Sequence, residues 1–275
     1  MAEFKNLMPI RTKGTKPPLF VIHGEPLQIA FRIRADRPLY GVSLLYHPEL
    51  GRLGDRTPAS IEEFARLYLE DVRRVQPHGP YYFCGYSAGG MIAFEMASQL
   101  LEAGELIGDL TLVEPTVNDW NYRADGNKLS NALQFYLDSD SRLQAAMIIL
   151  KRGVVGRWKT LQKYGGRFVT NICIRLHLPL PQGMRWTAFY KSMHPLLPKY
   201  QYQAIDCKAT LVYCAMGEER YSAWYEYWQP HFLQHAKLVS IEGSWTHRDL
   251  MTEASLGETI RILDQSVALD GSAHG

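Results

Sequence analysis

The chain has 275 residues, which is enough for one large α/β domain with a substantial core or for two small domains. Its 46% hydrophobic and 21% charged residues are ordinary values for a soluble globular protein. A formal net charge of +2 argues against a nucleic-acid-binding protein of the usual strongly basic kind. The sequence shows neither an apolar N-terminal segment of the secretory type nor a long apolar run, so we expect no signal peptide and no membrane span.

The cysteines indicate the compartment. They are far apart and lie mostly in apolar surroundings, at Cys84, Cys173, Cys207 and Cys214. This pattern favours buried free thiols over disulfides or a metal site. We therefore expect a protein of the reducing cytoplasm.

Up to residue 115, short apolar runs alternate with helical patterns. The runs at 17–24, 39–45, 80–86 and 106–115 predict strands. A helix is predicted from Ser60, because apolar residues follow at the spacing of one helix face and Ser60 with Glu63 forms a capping box. Another helix is predicted from residue 88 to Gly104, which would end it.

The same alternation resumes after residue 207. Strands are predicted at 208–216 and 236–243, a broken helix at 222–234 and a final helix at 252–267. Strands that alternate with helices form a mostly parallel sheet covered by helices on both faces. We therefore predict a single α/β domain over residues 1–275.

The range 118–205 departs from the alternation. Its pattern is mostly helical where a strand–helix unit would be expected, so we predict a helical lid inserted over the carboxyl edge of the sheet. This range holds 13 Lys and Arg against 4 Asp, whereas the rest of the chain holds 17 basic and 24 acidic residues. The near-neutral total therefore combines two parts of opposite charge.

The segment Gly85-Tyr86-Ser87-Ala88-Gly89 lies between a predicted strand and a predicted helix. A serine hydroxyl is a weak nucleophile until a base removes its proton, and it must stand clear of the backbone for a carbonyl to approach. A sharp strand–turn–helix bend exposes it, and flanking glycines relieve the crowding that the bend causes. The following helix also directs N–H groups at the place where negative charge develops. The motif therefore predicts that Ser87 is a catalytic nucleophile.

Three stretches resemble the thioesterase family of the α/β-hydrolase fold, whose members act with nonribosomal peptide, polyketide and fatty-acid synthases. They are residues 6–24, 60–100 and 100–115, and the segment QPHGPYYFCGYSAGG within them is typical of this family rather than of lipases or general esterases. The resemblance implies a Ser–His–acid triad that needs no metal or organic cofactor. The start of the first stretch is similar to the segment after a carrier domain, so a free-standing enzyme and a domain of a larger synthase both stay open.

The resemblance also suggests the partners of Ser87. In this fold the triad runs serine, acid, histidine along the chain, and His247, between the last predicted strand and the final helix, is predicted as the base. The resembling synthase thioesterases have an aspartate where this chain has Glu114, at the end of the strand after the nucleophile helix. In other hydrolases the acid follows the next strand, where this chain has Glu218 and Glu219, so both locations stay open.

The oxyanion hole needs two backbone N–H donors. Ala88, directly after the serine, is predicted to supply one of them. The other is expected in the loop after the strand at 17–24. Because Pro26 has no N–H, we predict Glu25 as this donor, with Leu27 as the alternative.

With these residues, the family resemblance implies a thioesterase that forms an acyl-Ser87 intermediate and then releases the acyl group to water or to an internal nucleophile. One alternative is an acyltransferase that passes the acyl group to a separate alcohol or amine. Another is a non-catalytic binding module, against which the complete set of serine, histidine and acid argues.

The expected partner is an acyl or peptidyl carrier protein bearing phosphopantetheine, or acyl-coenzyme A, with neither nucleic acid nor membrane involved. Carrier proteins of such synthases are typically acidic, and both thioester carriers contain phosphate. A positive surface would attract either one. We therefore predict that Arg152, Lys159 and Lys163 of the basic range, together with Tyr86 beside the serine, bind the substrate or its carrier.

Overall fold

The structure is a computed structural model of the chain. It describes residues 4–23, 26–44, 58–116, 189, 193–214, 224, 226–233, 236–241 and 256–268. The strands in these ranges are β1 (Leu7–Arg11), β2 (Leu19–Ile22), β3 (Leu39–Val42), β4 (Tyr81–Tyr86), β5 (Ile107–Val113), β6 (Ala209–Cys214) and β7 (Lys237–Ile241). The α-helices are α1 (Pro26–Arg32), α2 (Ile61–Val75), α3 (Ala88–Glu102) and α4 (Leu256–Ala268), with 3-10 turns at Leu197–Lys199 and Gln229–His231.

The strands form one sheet in the order β1-β3-β2-β4-β5-β6-β7. All neighbouring pairs are parallel except β1 with β3. The predicted mostly parallel sheet with flanking helices is confirmed. The carboxyl ends of the six parallel strands therefore meet at one edge, which is where ligands bind in open α/β sheets.

Two elements were not predicted from the sequence. Strand β1 is an antiparallel edge strand in which Leu7 alone is fully buried and Pro9 is exposed, a position that tolerates proline because no neighbour needs its N–H. Helix α1 begins at Pro26, where the missing N–H costs no intrahelical hydrogen bond.

Helices cover both faces of the sheet. On one face, Val21 and Cys84 share a cluster of buried residues with Ile29 of α1 and Leu263 of α4. Because successive side chains of a strand point to opposite faces, neighbouring residues of β2 and β4 line the other face, where α2 and α3 pack against each other and α3 contacts β2, β4 and β5. All residues of β2 are buried, as expected for a central parallel strand.

Helix α2 begins as predicted, with one difference at its cap. The Ser60 side chain accepts a hydrogen bond from the Glu63 N–H at 3.2 Å. The Glu63 carboxylate, however, accepts from the N–H of Ala59 at 2.6 Å, one residue before the position that a capping box uses. Both bonds satisfy N–H groups at the entrance of α2, which fixes the start of the helix that packs on α3.

Helix α3 ends at the predicted glycine. Gly104 has φ +78°, and its N–H donates to the Leu101 carbonyl at 2.9 Å. The next N–H, of Glu105, donates to the Leu100 carbonyl at 2.9 Å. This pair of bonds is the Schellman arrangement, which needs a left-handed residue that glycine adopts without strain.

The chain divides into two compact units. The first comprises residues 1–48, 58–116 and 192–275, and all the strands and helices named above belong to it. The second comprises residues 49–57 and 117–191. The predicted helical lid over 118–205 lies largely outside the described residues, and it stays a prediction, as does the single-domain assignment of 1–275. Within its range, the described residues from Met193 to Ile205 belong to the first unit.

Candidate active site

Ser87 occupies the turn between β4 and α3 in a strained conformation. Its φ of 55° and ψ of −124° are unusual for a residue that is not glycine. The Ser87 N–H donates to the Val113 carbonyl at 2.9 Å, and the Ser87 carbonyl accepts from the N–H of Gly90 at 2.9 Å and of Thr116 at 3.2 Å. Although Ser87 is the N-cap of α3, its side chain makes no capping bond to the helix. The N–H and the carbonyl of Ser87 are therefore both hydrogen-bonded, while its hydroxyl does not cap α3.

Three glycines allow this bend. A Cβ on Gly85 would lie 2.5 Å from the Gly89 carbonyl oxygen, and a Cβ on Gly89 would overlap the carbonyl oxygen of Ile22. These are the crowded positions on either side of the serine that the motif predicts. Gly90 is a third, which sequence reasoning missed: its added Cβ would meet the Pro115 Cβ at 2.9 Å. The first turn of α3 thus packs directly on the ends of three strands.

The residues that directly follow β2, β4 and β5 share one backbone feature. His23, Ser87 and Glu114 have φ values of 56°, 55° and 40°, and no other described residue except glycine has a positive φ. The three strands are neighbours, with Ile22 paired to Gly85 and Tyr86 to Val113. Strained residues persist only where the surrounding structure fixes them, and they concentrate at functional sites. The geometry therefore points to the carboxyl edge of β2, β4 and β5 as the candidate active site.

Glu114, the predicted acid, is held between two strands. Its N–H donates to the Val212 carbonyl of β6 at 2.8 Å, and its side chain is half-buried. Its strand lies directly beside that of Ser87, and adjacent strands are about 4.8 Å apart. The structure thus brings Glu114 and Ser87 to the ends of neighbouring strands.

His23 is a neutral neighbour of this edge. Burial lowers the pKa of His23 to about 3, and its Nε2 lies 2.8 Å from the Tyr68 hydroxyl. That hydroxyl also accepts the N–H of Leu44 at 2.8 Å. An imidazole with so low a pKa remains neutral around pH 7. Tyr68, which sequence reasoning did not single out, thus links His23 to the chain after β3.

The remaining predicted site residues divide into two groups. Ala88 is the buried first residue of α3, where an N–H has no partner inside the helix, and Tyr86 is half-buried and packs against the core. Leu27 is the second residue of α1 and 49% exposed. The others lie outside the described residues: His247, Glu25, Glu218, Glu219, Arg152, Lys159 and Lys163.

The described part of the chain contains no group of three or more His, Cys, Asp or Glu that could hold a metal ion. In the same part, no helix is both long and apolar enough to cross a bilayer. Cys84 and Cys207 are buried free thiols, and burial raises the pKa of each to about 12. Neither thiol is therefore a ready nucleophile.

A family model described as thioesterase domain matches residues 29–266. The chain belongs to the thioesterase family. It is 34% identical over 124 residues to malpibaldin synthetase of Mortierella alpina, a match that covers 42% of this chain and 2% of that protein. It is 33% identical over 120 residues to a dimodular nonribosomal peptide synthase of Bacillus subtilis (strain 168), covering 41% of this chain and 5% of that protein. The chain thus matches only a small part of the length of these relatives.

Solved structures of thioesterase domains share the fold. The NocB thioesterase domain, in covalent complex with a fluorophosphonate nocardicin G analog, matches with a TM-score of 0.60 at 20% identity, over 94% of this chain and 98% of that one. The predicted α/β-hydrolase fold is confirmed, as is the resemblance to the thioesterases of nonribosomal peptide synthases.

The close packing of α3 makes a testable prediction. Gly89→Ala should lower the free energy of unfolding by about 3 kcal/mol or more, because the added methyl group overlaps the backbone of β2. The matched control is Gly257→Ala in the first turn of α4, where an added Cβ has nothing within 4 Å, and it should raise stability by about 0.5 kcal/mol. Urea unfolding followed by circular dichroism measures both. A Gly89→Ala variant as stable as the wild type would contradict the contact.

Proposed function

We propose that the chain is a serine thioesterase that releases an acyl, peptidyl or polyketide chain from a phosphopantetheine carrier protein or from coenzyme A, by hydrolysis or cyclisation, through an acyl-Ser87 intermediate. The observation that carries the proposal is the strained Ser87 at the β4–α3 bend, at the sheet edge where Glu114 directly follows the neighbouring strand β5. Membership of the thioesterase family supports the reaction class. The match to part of a nonribosomal peptide synthase supports a carrier-bound substrate.

The proposed chemistry has two halves. His247 removes the Ser87 proton as the oxygen attacks the thioester carbonyl, and the tetrahedral oxyanion accepts hydrogen bonds from the N–H groups of Ala88 and Glu25. Collapse of the intermediate breaks the C–S bond, and the thiolate takes the proton from His247. Water, or a hydroxyl or amine of the bound acyl group itself, then attacks the acyl-serine and restores the Ser87 hydroxyl. The N-terminus of α3 adds a favourable field at the oxyanion.

The position of Glu114 favours it as the acid. It directly follows β5, the neighbour of β4, and its backbone is fixed by the bond to Val212. Glu218 and Glu219 follow β6, which lies one strand further from Ser87. Because neighbouring strands are about 4.8 Å apart, the end of β5 is one strand spacing closer to Ser87 than the end of β6 is.

Ser87→Ala should reduce thioester turnover by a factor on the order of 10⁴ or more, because the nucleophilic hydroxyl is lost. The fold should be retained, because the bonds that fix the turn are made by the backbone of residue 87. Thiol release from an acyl-N-acetylcysteamine substrate measures the rate. Mass spectrometry after treatment with a fluorophosphonate should place the label on Ser87 in the wild type. Turnover by the pure variant at a rate near that of the wild type would rule out this mechanism.

Glu114→Gln should lower kcat by roughly 10²-fold or more, because the amide no longer stabilises the imidazolium that forms on His247. Glu218→Gln and Glu219→Gln serve as controls and should change kcat less than about threefold. If one of the controls loses the activity and Glu114→Gln keeps it, the acid lies after β6.

The basic residues of the predicted lid should act on charged carriers only. Charge reversal at Arg152, Lys159 and Lys163 should raise KM for carrier-bound or coenzyme A thioesters, most strongly at low salt, because exposed charges are screened as ionic strength rises. The matched substrate is a neutral N-acetylcysteamine thioester with the same acyl group, whose KM should stay almost constant. Equal effects on both substrates, or a salt-independent effect, would exclude these residues as a docking surface.

A further inference from the structure

Two buried tyrosines lie on one short segment before β6, and each bonds a different element. The Tyr202 hydroxyl donates to the carbonyl oxygen of Thr116, the residue two positions after Glu114. The Tyr200 hydroxyl donates to the Glu95 carboxylate of α3 at 2.7 Å. The two side chains are thus chemically alike and two positions apart, and these hydroxyl bonds go to different elements: that of Tyr202 to the chain after β5 and that of Tyr200 to α3.

The Tyr202 ring is fixed by a cluster of aromatic side chains. Its centroid lies 4.7 Å from that of Trp228, 4.9 Å from that of Tyr200 and 5.0 Å from that of Phe94, all in edge-to-face geometry. Such packing leaves the ring little freedom. Burial raises the pKa of Tyr202 well above its ordinary value, so its hydroxyl stays protonated and able to donate.

Thr116 connects this hydroxyl to the candidate nucleophile. Its carbonyl accepts from Tyr202, and its N–H donates to the Ser87 carbonyl at 3.2 Å. Thr116 is also the last residue of the first compact unit before the chain passes into the second. The Thr116 carbonyl is therefore restrained by Tyr202, which lies 86 positions later in the sequence, where the chain is again part of the first unit.

Two residues close to Thr116 have strained backbones. Ser87 and Glu114 both have positive φ, which costs on the order of 1–3 kcal/mol each and persists only where neighbouring groups fix the backbone. Pro115, between Glu114 and Thr116, packs so closely on Gly90 that a methyl group there would not fit. The segment from Glu114 to Thr116 is thus pressed against the first turn of α3 on one side and bonded by Tyr202 on the other.

We propose that Tyr202 is a positioning residue for the reaction: its hydroxyl fixes Thr116, and Thr116 in turn holds the backbone of Ser87 and the end of β5 in register. The inference rests on the proposed role of Ser87. Tyr202 touches no reacting atom in this scheme. Its contribution is the orientation of the serine and of Glu114, and small errors in such orientation are costly to rate because the reacting atoms must be aligned within a fraction of an ångström.

The test compares Tyr202→Phe with Tyr200→Phe. Both variants keep an aromatic ring in the same cluster and lose one buried hydroxyl, so both should lose stability. We expect Tyr202→Phe to lower kcat for a neutral N-acetylcysteamine thioester, and the rate of Ser87 labelling by a fluorophosphonate, about tenfold with KM nearly unchanged. Tyr200→Phe should change both rates less than about twofold. Rates are measured at a temperature at which the unfolding curves show both variants to be folded.

Amide hydrogen exchange gives a readout that does not depend on activity. In Tyr202→Phe, exchange at the Thr116 and Ser87 amides should accelerate, whereas in Tyr200→Phe it should match the wild type. Equal rate losses in the two variants, unchanged rates in Tyr202→Phe, or failure of Tyr202→Phe alone to fold would overturn the positioning role. A wild-type protein that the fluorophosphonate does not label at Ser87 would instead overturn the proposed function, so the two failures are distinguishable.

Discussion

The close approach of the first turn of α3 to the ends of β2 and β4 is the constraint on which the site depends. At Gly85 and Gly89 the backbones are so near that a single methyl group would overlap a carbonyl oxygen. This contact forces the chain to turn sharply at Ser87 and gives the serine its positive φ. The same contact brings the N-terminal end of α3, with its partial positive charge, to the edge at which three strands end.

A bend of this kind is stable only because other parts of the chain hold it. Val113 accepts the Ser87 N–H, and the N–H groups of Gly90 and Thr116 share the Ser87 carbonyl. The bond from Glu114 to Val212 extends the same network to β6. The strain is thus offset by bonds from three separate elements, so that the geometry of the serine depends on the whole centre of the sheet.

The sequence predicted the features that depend on local spacing. The serine bend needs glycines at fixed offsets, and the starts and ends of α2 and α3 need Ser60 and Gly104, so each is visible in a few residues. Features that depend on distant partners were not visible. Strand β1 is recognisable only through its pairing with β3, and the Tyr202–Thr116 bond joins residues 86 positions apart.

The same contrast between local spacing and distant partners applies to the candidate site. The expected order of serine, acid and base comes from the family resemblance and stays a prediction, whereas the close packing of Gly90 depends on the path of Pro115, which no local pattern reveals. The choice between Glu114 and the glutamates after β6 also depends on tertiary structure. Strand order, which places β5 beside β4, is the information that the sequence lacks.

The place of β4 in the sheet has a consequence for durability. It has three strands on either side, and residues Tyr81 to Gly85 are all buried, so Ser87 is attached to the strand least able to fray. Partial melting at β1 or β7, the outermost described strands, leaves this strand paired on both sides. Loss of the strained Ser87 turn on heating should therefore coincide with cooperative loss of the whole sheet rather than with an earlier melting of an edge strand.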